Sequence, residues 1–441
     1  MSAILEDALT RLAEVPSLTA VGRVSEVVGL VVKAVVPGIR HGELVTIERG
    51  GGLPSLQAEV VGFRGDEAVL LPFGEPRGIG PDSTVTPTGR TFSIRCGEAL
   101  LGRVLDGLGQ PCDGGPDLPS DLERWEVERP APDPLTRARI ERPLPSGVRA
   151  VDAFLTLGEG QRIGLFAGSG AGKSTLLGQL ARGAGADVNV ICLCGERGRE
   201  VNDFLADALG PDGLARSVVV CATSDAPSLV RLKAAHVATA VAEWFRDRRG
   251  ARVLLLLDSI TRFARAVREV GLAAGEPPVR QGYPPSVFAA LPRLLERTGQ
   301  AARGSITALY TVLVAGADMD EPIADEVRAI LDGHIVLDRE LGARGRWPAI
   351  DVLRSLSRVM PRVATAEHQA LAASVRELLA AYEQKRDLVL LGAYRQGSDR
   401  RVDEALAKLD AIEAFLRQAV DEAGNMAESV ARLSTLVGVR K

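Results

Sequence analysis

One segment constrains the fold of this chain more than any other: RIGLFAGSGAGKSTLLGQLAR, residues 162–182. It opens with an apolar run, passes through a loop in which Gly168, Gly170 and Gly172 alternate with small residues, and continues into helix formers. Strand, glycine loop and helix, in that order, are the context that a phosphate-binding loop requires. Glycine lets the backbone curl so that successive N–H groups point at one anion. The helix N-terminus adds partial positive charge. The usual spelling, G-x-x-x-x-G-K-[ST], has Gly where this chain has Ala167. At the end of a strand a methyl group is tolerated if φ is negative. Gly168, Ser169, Gly170, Ala171, Gly172, Lys173, Ser174 and Thr175 are therefore the expected nucleotide-binding set. Lys173 would reach the β- and γ-phosphates, and the Ser174 hydroxyl would ligate Mg2+.

Two further segments fit that chemistry. In ARVLLLLDSITRFARA four consecutive leucines form a buried strand, and Asp258 stands at its C-terminal end, where parallel sheets place functional residues. Asp258 is the second expected Mg2+ ligand, through a water. In VNVICLCGERGREVNDFL, Glu196 ends another buried strand. If that strand neighbours the loop strand, its carboxylate can polarise the water that attacks a γ-phosphate. Arg197 and Arg199 are candidates for phosphate contact, and Glu200 for the water shell of the metal; solvated loop charges are the alternative for these three. No N-K-x-D guanine loop is present, which favours ATP.

The rest of the chain falls into three kinds of pattern. Residues 20–95 carry short β-rich runs punctuated by Gly, Pro and Asp, which predicts a sandwich or small barrel. Residues 96–362 begin with a turn-rich stretch and then alternate apolar strands with helices, the pattern of an α/β domain with a parallel sheet. Residues 363–441 are amphipathic helix formers. Ahead of these, residues 1–19 read as a terminal segment whose first 15 residues form an amphipathic helix with Leu5, Leu9 and Leu12 on one face. Its acidic polar face suits a partner protein better than an anionic lipid surface.

Bulk properties exclude several classes. The net charge of −4 and an aromatic content of 4% argue against a nucleic-acid binder. No apolar run approaches the ~20 residues of a membrane span, and the acidic start lacks the features of a secretory signal. Five cysteines, two of them in the apolar run at Cys192 and Cys194, fit reduced, buried thiols. The four histidines, His41, His236, His334 and His368, are scattered and read as structural or surface residues.

AGSGAGKST, CGERGREVNDF, DSITRFARA, GEPPVRQGYPPSVFAALPRLLERTG, DEPIADEVRAILDGHIVLDR and WPAIDVLRSLSRVM together resemble the type III secretion ATPases of flagellar and injectisome export. That family is similar in turn to the subunits of rotary ATP synthases. The resemblance implies a β-barrel, a RecA-like P-loop core with a parallel sheet, and a helical domain, assembled as a homohexamer. It implies ATP and Mg2+ as cofactors, a cytoplasmic location at the inner-membrane export apparatus, and peripheral membrane association through partners. The implied partners are a central stalk, peripheral stator proteins, chaperones and export substrates. Glu196 matches the catalytic glutamate, while Lys173, Ser174 and Asp258 match the phosphate and metal ligands. Arg197 and Arg262 match arginines near the γ-phosphate, and Arg358 the arginine finger that enters a neighbouring subunit's site. Trp347 stands where relatives carry a tyrosine that stacks on adenine. DEPIADEVRAILDGH matches the segment facing the central channel.

Three rivals are weighed against this. A rotary-synthase subunit disagrees with Glu196 and Arg358 lying on one chain. An RNA translocase of the Rho type disagrees with a β-domain that has two phenylalanines, Phe63 and Phe73, before residue 90 and no basic stripe. A nucleotide-sensing scaffold disagrees with an intact Lys173, Glu196 and Asp258 set. Between flagellar and injectisome duty, GEALLGRVLDGLGQPCDGG leans slightly to the injectisome.

Overall fold

The computed structural model describes residues 20–314 and 319–438. The amphipathic helix expected over residues 1–15 lies outside them. The described chain forms two compact units: the residues up to Phe92 with Glu269–Pro277, and Ser93–Arg268 with everything from Pro278 onward.

The first unit is a closed six-stranded barrel: β1 (Gly22–Val28), β2 (Val31–Val35), β3 (Glu43–Ile47), β4 (Leu56–Arg64), β5 (Glu67–Pro72) and β6 (Thr84–Thr91), paired in the order β1-β2-β5-β4-β3-β6. The run VGRVSEVVGLVVKAV divides at Gly29, whose φ of 59° makes the hairpin between β1 and β2. Val32, Ala34, Val45, Ile47, Val60, Leu70 and Val85 fill the interior. β6 closes the barrel by pairing with both β3 and β1. It contains Pro87 and Gly89, residues that weaken a strand pattern, and for that reason it carries no clear signal in the sequence.

The second unit is built on a nine-stranded sheet. Its main path runs β14 (Leu356–Ser357), β13 (Gly333–Leu337), β8 (Arg162–Ala167), β12 (Ser305–Leu313), β11 (Arg252–Asp258), β9 (Val188–Glu196), β10 (Ser217–Thr223) and β7 (Val104–Asp106). All neighbours on this path are parallel except β13 and β14. All nine residues of β9 are buried, as the near-continuous apolar run demands of a strand covered on both faces. The helices that frame the site are α1 (Arg149–Phe154), α2 (Lys173–Gly183), α3 (Gly198–Asp203), α4 (Ser228–Trp244), α5 (Ile260–Ala274), α6 (Pro322–Ile330) and α7 (Arg339–Ala343).

Three more helices follow: α8 (Ala366–Leu390), α9 (Arg400–Leu416) and α10 (Met426–Val437). Their apolar faces join the sheet's own core, so that Leu371, Val375, Ile412, Phe415 and Leu433 pack in one cluster with Leu176, Leu177 and Leu180 of α2. Phe415 meets Phe154 of α1 edge to face at 6.0 Å. No helix among the described residues is long and apolar enough to cross a membrane.

All five cysteines are free, and Cys96, Cys192 and Cys194 are buried. His368 contacts the Ala153 carbonyl at 2.8 Å. His236 packs edge-on against Phe263 and stands 3.2 Å from Arg297. Arginine can only donate, so Nδ1 of His236 accepts and its ring proton sits on Nε2. Burial pushes His236 from its ordinary value of 6.5 down to about 3. The unfolded chain therefore takes up this proton first as pH falls, and stability is lost below about pH 6.5. The loss between pH 6.5 and 5 is about 2 kcal/mol. Urea unfolding at the two pH values should show it, and His236→Gln should flatten that part of the dependence; an unchanged slope in the variant refutes the assignment.

Candidate active site

The parallel strands bring their C-terminal ends to one edge of the sheet, and the motifs gather there. β8 ends at Ala167, which is buried. Its φ is negative, Gln281 being the one non-glycine with positive φ among the described residues, so its methyl group fits the strand end without strain. The loop then turns at Gly170 and Gly172, with φ of 77° and 82°. A Cβ at Gly172 would lie 2.5 Å from Cζ3 of Trp347, so both the turn and the neighbour require glycine. Ser169, Gly170, Ser174 and Thr175 are exposed and Ala171 is buried. Beside Gly168 runs the side chain of Arg339, a cation that the sequence reading did not single out. α2 starts at Lys173 with no side-chain cap on its first N–H groups. Free amides behind a glycine turn are donors for an anion, and phosphate fits them.

Lys173 organises the edge. Its ammonium lies 2.5 Å from both carboxylate oxygens of Asp258 and 3.0 Å from Oε1 of Glu196. The side chains of the two acids are only 3% and 5% exposed. Burial opposes the charged ammonium, but Asp258 and then Glu196 outweigh it and raise the Lys173 pKa. The strands involved are not neighbours: β12 and β11 separate β8 from β9. The condition set on the sequence, that the strands of Lys173 and Glu196 be adjacent, is not met, and the lysine spans the gap across the sheet edge. The intervening strand takes part. Thr311 of β12, fully buried, contacts Oδ1 of Asp258 at 2.7 Å and so fixes that carboxyl.

Glu196 reaches this point through a bulge. In register, Asp258 lies beside Leu193, and the pairing of β9 with β10 slips between Cys194 and Glu196. Gly195 makes the slip with a φ of 71°. Its missing side chain also admits Arg262: a Cβ there would stand 3.0 Å from Cδ of that arginine. Arg262 of α5 donates to the Gly195 carbonyl and, at 3.1 Å, to Oε2 of Glu196. Burial, and then the adjoining Glu200 carboxylate, push the Glu196 pKa up against the pull of Lys173 and Arg262. The same contact with Glu196 holds Glu200 down.

The other expected residues lie around this centre at different depths. Arg197 is 77% exposed and pairs with Glu200 at 3.4 Å rather than turning toward Lys173. Arg199 is 90% exposed and pairs with Asp203. Trp347 is 41% exposed, with its six-membered ring against Gly172 and Gly342. The connection between α9 and α10, which no motif marks, comes to the same place. Gln418 N–H donates to the Trp347 carbonyl at 2.8 Å, and Gln179 and Arg182 of α2 bond the carbonyls of Ala419 and Val420.

Arg358 is exposed and lies at the opposite end of the sheet. Its N–H donates to Asp332, whose own N–H donates to Arg162, the first residue of β8. The loop follows the last residue of that strand, about 17 Å away at ~3.3 Å per residue.

Ser174 and Asp258 offer hard oxygen donors, the kind a magnesium ion takes while keeping several waters. Among the described residues no cluster of three or more His, Cys, Asp or Glu could hold a metal alone, so a magnesium ion here depends on phosphate and water for its other ligands.

Fold and site together define a P-loop ATPase. Residues 147–357 match the nucleotide-binding domain of the ATP synthase alpha/beta family, residues 24–89 its beta-barrel domain, and residues 364–435 the T3SS EscN ATPase C-terminal domain. The chain is 55% identical over 402 residues to the type 3 secretion system ATPase of Xanthomonas euvesicatoria, covering 91% of this chain and 90% of that protein. It is 50% identical over 418 residues to the flagellum-specific ATP synthase of Bacillus subtilis, covering 95% of each. The assembled ATPase EscN of enteropathogenic E. coli superposes with a TM-score of 0.89 at 46% identity, over 95% of this chain and 100% of that one. A second structure holds EscN with its central stalk EscO, with a TM-score of 0.87. The chain belongs to the type III secretion and flagellar export ATPases.

Gly195→Ala tests the bulge. Its Cβ strains a left-handed φ and presses on Arg262, so Glu196 should be displaced and ATP hydrolysis should fall at least tenfold, with the unfolding free energy lowered by about 1–3 kcal/mol. Wild-type hydrolysis in this variant would show that the bulge does not set Glu196.

Proposed function

We propose that this chain is the ATP-hydrolysing motor of a bacterial type III protein export apparatus. It acts as a homohexameric ring at the cytosolic face of the inner membrane, divided into a barrel over 20–95, an ATPase core over 96–362 and a helical domain over 363–441. One observation carries the reading: Lys173, Glu196 and Asp258 meet at one edge of the sheet while Arg358 stands at the other end, out of reach of its own loop.

On this reading the amides of Gly168–Ser174 and the Lys173 ammonium hold the β- and γ-phosphates. Glu196 orients the attacking water and takes up its proton, a task that its raised pKa suits. Arg262 keeps the Glu196 carboxyl aimed at the γ-phosphate. Ser174 and Asp258 would hold a magnesium ion, with Glu200 by its water shell, and the ion would supply charge neutralisation on the phosphates. Trp347, with the exposed Val420, offers an apolar wall for the base. Arg197 and Arg358 meet phosphate when a second subunit closes over the site, and the guanidinium supplied across the interface is worth ~10³-fold or more in rate. A ring with six equivalent sites then forms by head-to-tail rotation. A central stalk in the channel lined by 320–334 and stator proteins are its structural partners, and ring turnover releases chaperones from export substrates and helps to unfold them.

Two single variants and their mixture test this. Glu196→Gln should lower hydrolysis by about 10²–10⁴-fold while ATP still binds. Arg358→Ala should lower it by ~10³-fold with binding retained. Mixing the two inactive proteins should restore part of the activity, because some interfaces then pair an intact Glu196 with an intact Arg358 from the neighbour. No recovery in assembled mixed rings would refute the shared site, and undiminished turnover in Glu196→Gln would refute the catalytic assignment. Specific activity of the wild type should also rise with protein concentration until the ring is complete; a flat profile across assembly rules out the ring dependence.

A further inference from the structure

The helical segment meets the phosphate loop through one buried amide. Gln418, just beyond α9, is 4% exposed. Its Oε1 accepts the Arg149 N–H at 2.7 Å, and its Nε2 donates to the carbonyls of Gly147 at 2.8 Å and Glu422 at 2.9 Å. The side chain's acceptor and both of its N–H groups are thus engaged. Its main-chain N–H donates to the Trp347 carbonyl at 2.8 Å.

Two of those partners, Trp347 and Gly147, lead to the loop and to the helix behind it, while Arg149 and Glu422 tie the junction to the end of α9. The Trp347 ring rests on Gly172. A Cβ at Gly147 would stand 2.8 Å from Cα of Gly183, the last residue of α2. Arg149 ties α1 back to the end of α9 by donating to the carbonyls of Phe415 at 3.0 Å and Arg417 at 2.8 Å, and it pairs with Glu422. The two residues after Gln418 are bonded by α2 through Gln179 at 3.1 Å and Arg182 at 2.8 Å. Gly424 allows the close approach, since a Cβ there would collide with the Gly147 carbonyl. A shift of α9 cannot move Gln418 without moving Trp347 and the frame of α2, because interiors this densely bonded have few intermediate arrangements.

We propose that Gln418 is a positioning residue for the nucleotide. It holds Trp347 and the α9–α10 connection against the phosphate loop, so that a displacement of the C-terminal helices is read as a change in nucleotide affinity. The inference rests on the loop being the ATP site. A merely structural amide would stabilise the junction without altering binding, whereas a positioning amide sets the ground-state affinity and leaves the chemistry of Glu196 alone.

The test uses the full chain with Gln418→Met, which keeps the volume and removes the hydrogen bonds, and Gln418→Glu, which keeps the acceptor for Arg149 and loses both donations. Steady-state hydrolysis, equilibrium binding of a fluorescent ATP analogue and thermal unfolding are measured together. The KM for ATP and the Kd of the analogue should rise about tenfold in both variants, the loss expected for one to two buried hydrogen bonds, with kcat within about threefold. A lowered unfolding temperature with KM and Kd unchanged overturns the proposal, and so does a loss confined to kcat. If one variant fails to fold, the other decides. A wild-type chain that binds no ATP analogue would instead overturn the reading of the loop itself.

Discussion

The Lys173 ammonium between Asp258 and Glu196 is the contact on which the geometry of the site turns. A largely buried charge survives only where opposite charges and hydrogen bonds replace water, and removing one partner of such a group costs about 3–5 kcal/mol. Two carboxylates meet the lysine here, and each is held by something else: Asp258 by Thr311, Glu196 by Arg262. The sheet order makes this arrangement possible. With β12 and β11 between β8 and β9, the acids stand two and three strands from the loop strand rather than beneath it. The lysine at the start of α2 reaches over that edge, and the Gly195 bulge brings Glu196 out to meet it. On the proposed reading, the same two acids that steady an ammonium orient water and a divalent cation once phosphate draws the lysine away.

The helices beyond residue 366 are not an appendage to this edge. Their apolar faces join the cluster that backs α2, and the α9–α10 connection is bonded to α2 and to Trp347 directly. Packing and polar contacts therefore act in the same direction, and α2 is gripped from behind by the segment most distant from it in sequence. Such a junction transmits motion in either direction, because a densely packed interface shifts between discrete arrangements rather than deforming gradually.

How much of this could be read beforehand follows from the kind of signal each part leaves. The loop, Asp258 and Glu196 were legible because each is punctuation at the end of an apolar run, and strand ends are where parallel sheets concentrate chemistry. The barrel was legible from its first five strands, whereas β6 was hidden by Pro87 and Gly89. Adjacency was not legible: nothing in the local pattern says that β12, late in the chain, inserts between β8 and β11, since strand order is a global property of packing. Thr311, Arg339 and Gln418 escaped for the same reason. A threonine in a strand, an arginine after a strand and a glutamine after a helix are ordinary locally, and only the fold gives them partners. Gly195 stands between these cases, because a glycine just before a strand-ending acid is a recognisable bulge signal whose consequence for Arg262 is tertiary.

The placement of Arg358 carries the remaining step. Through Asp332 it is tied to the first residue of the strand whose last residue starts the phosphate loop. A rigid parallel strand thus separates the two by nearly its full length within one chain, and no side-chain rotation closes such a gap. An exposed arginine just beyond a two-residue edge strand, tied to the end of β8 that is remote from the loop, has no use within its own subunit on the proposed reading. It gains one if the edge carrying β14 faces the loop end of the next copy. That contact is heterologous, since different patches meet, and repeated it generates either a closed ring or an open filament. The proposed reading takes the closed form. On that reading the end-to-end separation of the site's two halves makes hydrolysis conditional on assembly, and every site depends on the neighbour that supplies its arginine.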